Sequence, residues 1–300
     1  MRLGIDIGGT KTSVAAVDAA HRVVARAEAP SGHGPRCVVD VAVALARGVM
    51  ADPAVDIDAI GACMPGLVDP GSGGVSHAVN LGVEELDLAG ALRAELGLPV
   101  HVDNDVKAAA LGAAVHLGVA AARPGTAASA GTLAYLNVGT GLAAAMIRDG
   151  VVQRGPGGAL GEIGHLPVGG SVPCRCGQIG CLETLASGSA VARVWTPGPG
   201  EDRDPFVSQD PAAREAARML CDGVVTALQL LVLACGPDRV AIGGGVAAAS
   251  GLRDGVLAAI DARARASHFV ASLGLAELVE VLPSSLPVAS LGAALLVPGR

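Results

Sequence analysis

Four potential metal ligands cluster just past the middle of the sequence: His165, Cys174, Cys176 and Cys181. Three thiols within eight residues and a nearby imidazole suit tetrahedral Zn²⁺. Four protein ligands leave no open position, so the spacing predicts a structural rather than a catalytic zinc. The alternative is a group of free buried cysteines. The spacing, and an odd total of seven cysteines, favour the metal over that alternative and over disulfides.

Two glutamates flank this cluster, Glu162 and Glu183. Surface exposure is the usual fate of a glutamate. Their position around a rigid loop favours contacts with the hydroxyl groups of a polar ligand such as a sugar.

Two short glycine turns each join a pair of predicted strands. The first follows Asp6 and contains Gly8, Gly9, Thr10 and Lys11; the second contains Gly139, Thr140 and Gly141. Glycines let backbone N–H groups approach phosphate oxygens without a Cβ clash. Asp6 can hold Mg²⁺, and Thr10 and Lys11 can donate to phosphate. A plain hairpin turn is the alternative for each turn alone, but two such turns facing each other would clamp a triphosphate. Neither has the Walker A spacing.

Two further segments carry candidate chemistry. Gly243, Gly244 and Gly245 end a predicted strand and leave room for a flat ring such as adenine, although a flexible loop has the same composition. Asp103, Asn104 and Asp105 stand where a helix is predicted to begin. We expect Asp103 to be its N-cap. Asp105 is the candidate base that takes a hydroxyl proton during phosphoryl transfer, and Asn104 can bond vicinal hydroxyls.

The elements that must position these residues follow from apolar periodicity and from glycine and proline breaks. Strands are predicted at residues 3–7, 13–17, 23–27, 57–63, 99–102, 133–138, 142–147 and 240–246, and helices at 37–50, 88–96, 106–117, 212–235 and 288–296. The strand–glycine turn–strand unit occurs twice, which indicates two related α/β lobes. Residues 119–131 lack periodicity and are predicted to be the linker. Residues 68–82 give no readable pattern, and 196–211 read as a surface loop.

Composition narrows the class of protein. The 300 residues are 51% hydrophobic but only 1% aromatic, so small aliphatic side chains must fill the core. A net charge of −7 argues against nucleic acid as the main partner. The N-terminus lacks a signal-peptide pattern, and the apolar run at residues 228–234 is too short to span a membrane. We expect a cytoplasmic protein with no membrane partner.

Together these motifs resemble the ROK family (repressors, open reading frames, kinases) of the actin/hexokinase/Hsp70 ATPase superfamily. The matching segments cover nearly the whole chain: residues 6–11, 65–69, 104–105, 139–141, 161–165, 174–183 and 242–246. The resemblance implies an α/β fold of two ribonuclease-H-like (actin-like ATPase) lobes with an inter-lobe cleft. It places residues 1–118 and a returning helix at 288–300 in one lobe, and residues 119–287, with the zinc loop, in the other.

The resemblance also implies roles. Asp105 matches the catalytic base, His165 and the three cysteines match the zinc ligands, and the glycine segments match the ATP and Mg²⁺ site. The sugar contacts it implies are Gly66, Asn104, Asp105, Glu162, His165 and Glu183. The sequence departs from the family pattern at Val106 and Lys107 and at Leu142, Ala143 and Ala144, which lie beside the proposed chemistry.

The expected activity is ATP-dependent phosphorylation of a hexose, glucose first, by a homodimer or homotetramer. The alternatives are another hexose, an N-acetylhexosamine, or a sugar sensor without catalysis. A sugar-responsive repressor is a further alternative. It is expected least, because a repressor of this family needs a helix-turn-helix domain ahead of Asp6, where only five residues stand.

Overall fold

The computed structural model describes residues 1–119, 131–155, 158–198, 200 and 202–297. The chain divides into two compact units. Unit 1 contains Met1–Ala130, Asp149–Gly158 and Pro287–Arg300, and unit 2 contains Gly131–Arg148 and Ala159–Leu286. The predicted linker at residues 119–131 lies almost entirely outside the described residues.

The main sheet of unit 1 has the order β3-β2-β1-β4-β8. Its strands are β1 (Arg2–Ile7), β2 (Lys11–Val17), β3 (Val23–Pro30), β4 (Ala59–Met64) and β8 (Val100–Asn104). The first three strands form an antiparallel meander, whereas β1, β4 and β8 run parallel. The carboxyl ends of the three parallel strands therefore lie along one edge of the sheet.

Four helices belong to unit 1: α1 (Pro35–Met50), α2 (Leu88–Leu96), α3 (Asp105–His116) and α9 (Val288–Leu295). Apolar residues of α1 and α2 share one core cluster with the main sheet. Helix α9 packs directly on the sheet and on α3. Glycine makes this approach possible, because a Cβ at Gly61 would lie 1.7 Å from the carbonyl oxygen of Ala293.

A small antiparallel sheet occupies the segment that the sequence pattern left unread. It consists of β5 (Leu67–Asp69), β6 (Gly74–Ala78) and β7 (Val83–Asp87), in that order. The first turn is held by Asp69, whose carboxylate accepts from Gly71 N and the Ser72 hydroxyl. Strands of three to five residues are too short to establish a period of two. The further strand β11 (Val151–Gln153) lies in the 149–158 segment of unit 1.

Unit 2 repeats the strand order of unit 1. Its strands β9 (Thr132–Val138), β10 (Leu142–Arg148), β12 (Arg239–Gly243) and β13 (Val279–Val281) run in the order β10-β9-β12-β13, matching β2-β1-β4-β8. Its helices are α4 (Gly188–Val194), α5 (Pro211–Cys235), α6 (Leu252–Ala266), α7 (His268–Ser272) and α8 (Leu275–Leu278). The same antiparallel hairpin beside parallel strands thus occurs in both units.

Several expectations about elements are corrected by the structure. Strand β12 ends at Gly243 rather than at residue 246, because Gly244 turns the chain with φ of 100° and a 3₁₀ turn, Val246–Ala248, follows. Helices α4, α6, α7 and α8 and strand β13 were not predicted. Within the described part of the chain, α5 alone is long and apolar enough to cross a membrane. Such a helix is weak evidence for a membrane span, because the core helix of a soluble protein passes the same test, and Leu220, Val224 and Leu228 are fully buried in the core of unit 2.

Candidate functional site

The carboxyl edge of the parallel strands of unit 1 gathers four of the predicted site residues. Asp6 lies in β1, Gly66 follows β4, and Asn104 ends β8 immediately before Asp105. Asn104 is the N-cap of α3, since its Oδ1 accepts from Val106 N and Lys107 N. Its Nδ2 donates to the carbonyl oxygen of Gly66 at 3.4 Å.

The prediction that Asp103 caps this helix is wrong. Strand β8 continues through Asn104, beyond the predicted end at residue 102, and this moves the cap along the chain. The Asp103 carboxylate, whose side chain is only 3% exposed, instead accepts from Arg154 Nη2 at 2.5 Å. The 149–158 segment is thereby tied to the start of α3, and Lys107 Nζ adds a bond of 2.9 Å to the Gly158 carbonyl.

Asp6 and Asp105 form an acidic pair at this edge. Burial, and then the negative charge of Asp105, raise the pKa of Asp6 from 3.8 to about 7. The Cys63 thiol, 3.6 Å from Asp6 Oδ1, donates to that carboxylate and has its own pKa raised well above 9.0 by burial and by the nearby acids. Two interacting carboxylates are the donor set that Mg²⁺ prefers, and a divalent cation here would offset their repulsion.

The first glycine turn is a closed hairpin turn in which Gly8 N donates to Lys11 O at 3.0 Å. Ser31, which is 1% exposed, donates its hydroxyl to Gly8 O at 2.6 Å. No motif or spacing in the sequence singles out Ser31. The Lys11 ammonium bonds Glu28 at 3.1 Å, so any contact with phosphate requires it to leave or share this exposed ion pair.

The second and third glycine segments lie side by side in unit 2. Strands β9 and β12 are parallel neighbours with Gly243 opposite Asn137, so the turns that follow them share one edge of the sheet. Gly244 has φ of 100°, and a Cβ there would lie 2.5 Å from Val138 O. Only glycine tolerates both the conformation and the close approach.

A cavity of about 560 Å³ opens beside these turns. Its lining combines the start of α4, the loop after it and the end of the third glycine segment: Gly188, Val191, Ala192, Trp195, Thr196, Pro197, Arg203, Asp204, Pro205, Gly245, Val246, Ala248 and Ala249. The first of these touches the second glycine turn directly, since Gly188 N donates to Gly139 O at 2.8 Å. A mostly apolar cavity next to a glycine turn suits a flat heteroaromatic ring with an attached phosphate chain.

The predicted zinc ligands converge. One ligand atom from each of the four residues lies within 4.8 Å of the other three. Cys176 Sγ and Cys181 Sγ are 3.7 Å apart, and Cys174 Sγ is 3.6 Å from His165 Nδ1. Tetrahedral zinc with ordinary bond lengths requires about 3.8 Å between two sulfurs and about 3.6 Å between sulfur and nitrogen. The donor set therefore fits Zn²⁺ in both identity and spacing.

Local hydrogen bonds prepare this cluster for a cation. Hydrogen bonds from Gln178 lower the pKa of the Cys176 thiol to about 6, which favours the metal-binding thiolate. Burial raises the pKa of Cys181 to about 12, so that thiol ionises only when a cation compensates it. Because Nδ1 of His165 faces the sulfurs, its Nε2 is left for another partner.

The two flanking glutamates differ in their surroundings. Glu162 is exposed at the start of the 3₁₀ turn Ile163–His165, which packs on β10 closely enough that a Cβ at Gly164 would lie 2.1 Å from Leu142 O. Glu183 is partly buried and accepts from Leu142 N at 3.0 Å through Oε2. Both glutamates are thus positioned around Leu142, directly after the second glycine turn.

A family model described as the ROK family matches residues 2–299. The chain belongs to the ROK family. It is 31% identical over 274 residues to a glucokinase of Halalkalibacterium halodurans, covering 82% of this chain and 81% of that protein. It is 30% identical over 281 residues to an N-acetylmannosamine kinase of Vibrio vulnificus, covering 86% and 87%.

Among solved structures, the chain is similar to a ROK family glucokinase from Streptomyces griseus determined in complex with glucose and AMPPNP. The TM-score is 0.78 at 26% identity, and the match covers 98% of both chains. The predicted family and the predicted α/β fold, that of ROK kinases with two actin-like lobes, are confirmed.

Proposed function

We propose that this ROK protein is an ATP-dependent sugar kinase that transfers the γ-phosphoryl group of ATP to a hydroxyl of a hexose, with glucose as the first candidate. The observation that carries the proposal is the carboxyl edge of β1, β4 and β8, where Asp6, Asn104 and Asp105 meet. Asp6 and Asp105 form an acidic pair suited to a cation, and Asp105 together with the Asn104 amide is suited to sugar hydroxyls. The similarity to glucokinases across most of the chain supports the same activity.

In the proposed reaction Asp105 is the general base. Its carboxylate accepts the proton of the attacking hydroxyl as that oxygen bonds the γ-phosphorus and the bond from phosphorus to the ADP oxygen breaks. Mg²⁺, when bound, would neutralise charge on the phosphates, and Asp6 is the residue proposed to hold it, directly or through water.

The remaining roles are proposals of the same kind. The three glycine segments are the residues proposed to hold ATP: Gly8, Gly9, Thr10 and Lys11, then Gly139, Thr140 and Gly141, and then Gly243, Gly244 and Gly245. The sugar would contact Gly66, Asn104, Asp105, Glu162, His165 and Glu183. A structural zinc on His165 and the three cysteines would fix the imidazole plane and leave its Nε2 to donate to a hydroxyl.

The test is ADP release from Mg-ATP over a panel of glucose, mannose, N-acetylglucosamine and N-acetylmannosamine. We expect turnover with glucose and a loss of about 10²–10⁴-fold in Asp105→Asn with sugar binding retained. Near wild-type turnover of that variant would show that Asp105 is not the base. Preference for an N-acetylated sugar is the second candidate, which the similarity to an N-acetylmannosamine kinase supports.

Sugar binding without turnover on any of these sugars would instead favour a sensor. We further propose that the protein is cytoplasmic and acts as a homodimer or homotetramer without nucleic acid. Light scattering of the purified protein tests the assembly, and a gel shift with duplex DNA tests the last point.

A further inference from the structure

Glu183 connects the metal-binding loop to the second glycine turn. It lies two residues after Cys181, in the 3₁₀ turn Leu182–Thr184. Its Oε2 accepts from Leu142 N at 3.0 Å. A Cβ built on Gly141 would lie only 2.3 Å from the same oxygen, so the carboxylate lies directly against the backbone of the turn.

The residues that follow Glu183 hold the same turn at two more points. Gly188 N donates to Gly139 O at 2.8 Å, and Ser189 N donates to Thr140 O at 3.2 Å. The stretch is itself fixed internally, since the buried Ser187 hydroxyl donates to Glu183 O at 2.8 Å. Three hydrogen bonds thus connect residues 183–189 to residues 139–142.

A turn rich in glycine needs such support. Glycine has the largest backbone freedom to lose, so the turn has little conformational preference of its own. Its N–H groups can bind phosphate only if they hold one geometry. Of the three bonds, the one from Leu142 N to a carboxylate is charge-assisted and is the strongest kind available.

The bonding pattern also limits what Glu183 can do for a nucleotide. A carboxylate that faced the phosphates would repel them, whereas one that accepts from the amide just after the turn acts on the backbone instead. We propose that Glu183 is a positioning residue for the second glycine turn, so that the loop carrying Cys181 sets nucleotide affinity as well as sugar contacts. This inference rests on the proposed kinase function.

Two substitutions separate this role from a sugar contact alone. Glu183→Gln keeps an oxygen that can accept from Leu142 N, whereas Glu183→Ala removes it. We expect Glu183→Ala to weaken binding of AMPPNP with Mg²⁺, measured by calorimetry without sugar, by about tenfold or more. Glu183→Gln should stay within about threefold of the wild type. In Gly141→Ala the new Cβ would displace the Glu183 carboxylate from Leu142 N. We therefore expect Gly141→Ala to weaken AMPPNP binding as much as Glu183→Ala does.

A second readout does not depend on kinase activity. Amide hydrogen exchange at Leu142 should accelerate in Glu183→Ala and stay slow in Glu183→Gln, at unchanged zinc content. Unchanged exchange together with wild-type AMPPNP affinity in Glu183→Ala would overturn the inference while leaving the kinase proposal intact. Wild-type protein that does not bind AMPPNP would instead refute the kinase proposal. If Glu183→Ala loses zinc, the AMPPNP affinities of Glu183→Gln and Gly141→Ala are compared instead. Equal AMPPNP affinities in those two variants would count against the inference.

Discussion

The acidic pair of Asp6 and Asp105 predicts an unusual dependence of stability on pH. The pKa of Asp6 is raised from 3.8 to about 7 by burial and by the charge of Asp105. A carboxyl group with a raised pKa stabilises the folded state while it is protonated. That contribution is complete below pH 3.8, declines as pH rises, and is lost above about pH 7.

The size of the effect follows from the pKa. A rise of roughly three pH units at about 1.4 kcal/mol each gives about 4 kcal/mol at most, of which about 2–3 kcal/mol falls between pH 5 and pH 8. Asp6→Asn removes this titration and preserves the shape of the side chain. Between pH 5 and pH 8 the variant should therefore gain about 2–3 kcal/mol of unfolding free energy relative to the wild type.

Urea unfolding at the two pH values, without Mg²⁺ or nucleotide, measures the difference. His165 and the three clustered cysteines are identical in both proteins, so their titration cancels in the comparison. Asp69→Asn is the control, because hydrogen bonds from Ser72 and Gly71 lower the pKa of Asp69 below 3.8, so its difference from the wild type should stay constant between pH 5 and pH 8. Mg²⁺ should stabilise the wild type at pH 8 more than Asp6→Asn. A difference between Asp6→Asn and wild type that stays constant from pH 5 to pH 8 would refute the reasoning.

Three further predictions follow from other contacts. Protein prepared without metal-affinity resin should contain about one zinc per chain by elemental analysis. Cys176→Ser should lower the zinc content and raise the KM for both sugar and ATP. Full activity of zinc-free protein would contradict the proposed zinc site. Arg154→Met leaves the buried Asp103 carboxylate without its cation and should cost about 1–3 kcal/mol of unfolding free energy, partly restored by a second change, Asp103→Asn. Gly61→Ala places a Cβ 1.7 Å from Ala293 O and should lower Tm sharply, whereas Gly48→Ala, on the exposed face of α1 with nothing within 4 Å, should be neutral or raise it.

Sequence motifs identified the candidate site residues more readily than the residues that support them. The proposed zinc ligands could be grouped from the sequence because chelation requires specific residue types at short spacing, as in Cys174, Cys176 and Cys181. The glycine turns could be found because each interrupts an apolar strand, and the repeated strand–turn–strand unit was enough to predict two lobes of one α/β fold.

The supports could not be found because they depend on distant partners. Ser31 is an ordinary serine until the fold places it against Gly8 O, and Arg154 is one arginine among many until it meets Asp103. The cap at Asn104 was missed for a local reason, since three consecutive residues could all cap and only the end of β8 decides among them. Short strands such as β5 and β13, of three residues each, carry no periodic signal.

The departure from the family pattern at Lys107 has a structural role that its position in the sequence hides. A lysine two residues after the proposed base suggests a charge beside the reacting hydroxyl. Lys107 is instead 7% exposed, and its ammonium donates to Gly158 O. Together with the bond from Arg154 to Asp103, it ties the 149–158 segment to the first turn of α3. Lys107 therefore acts on the backbone near the proposed base, which is the kind of role that we propose for Glu183 in unit 2. In each unit, charged side chains thus bond the backbone or neighbouring side chains of the segments that carry the proposed ligand-binding groups.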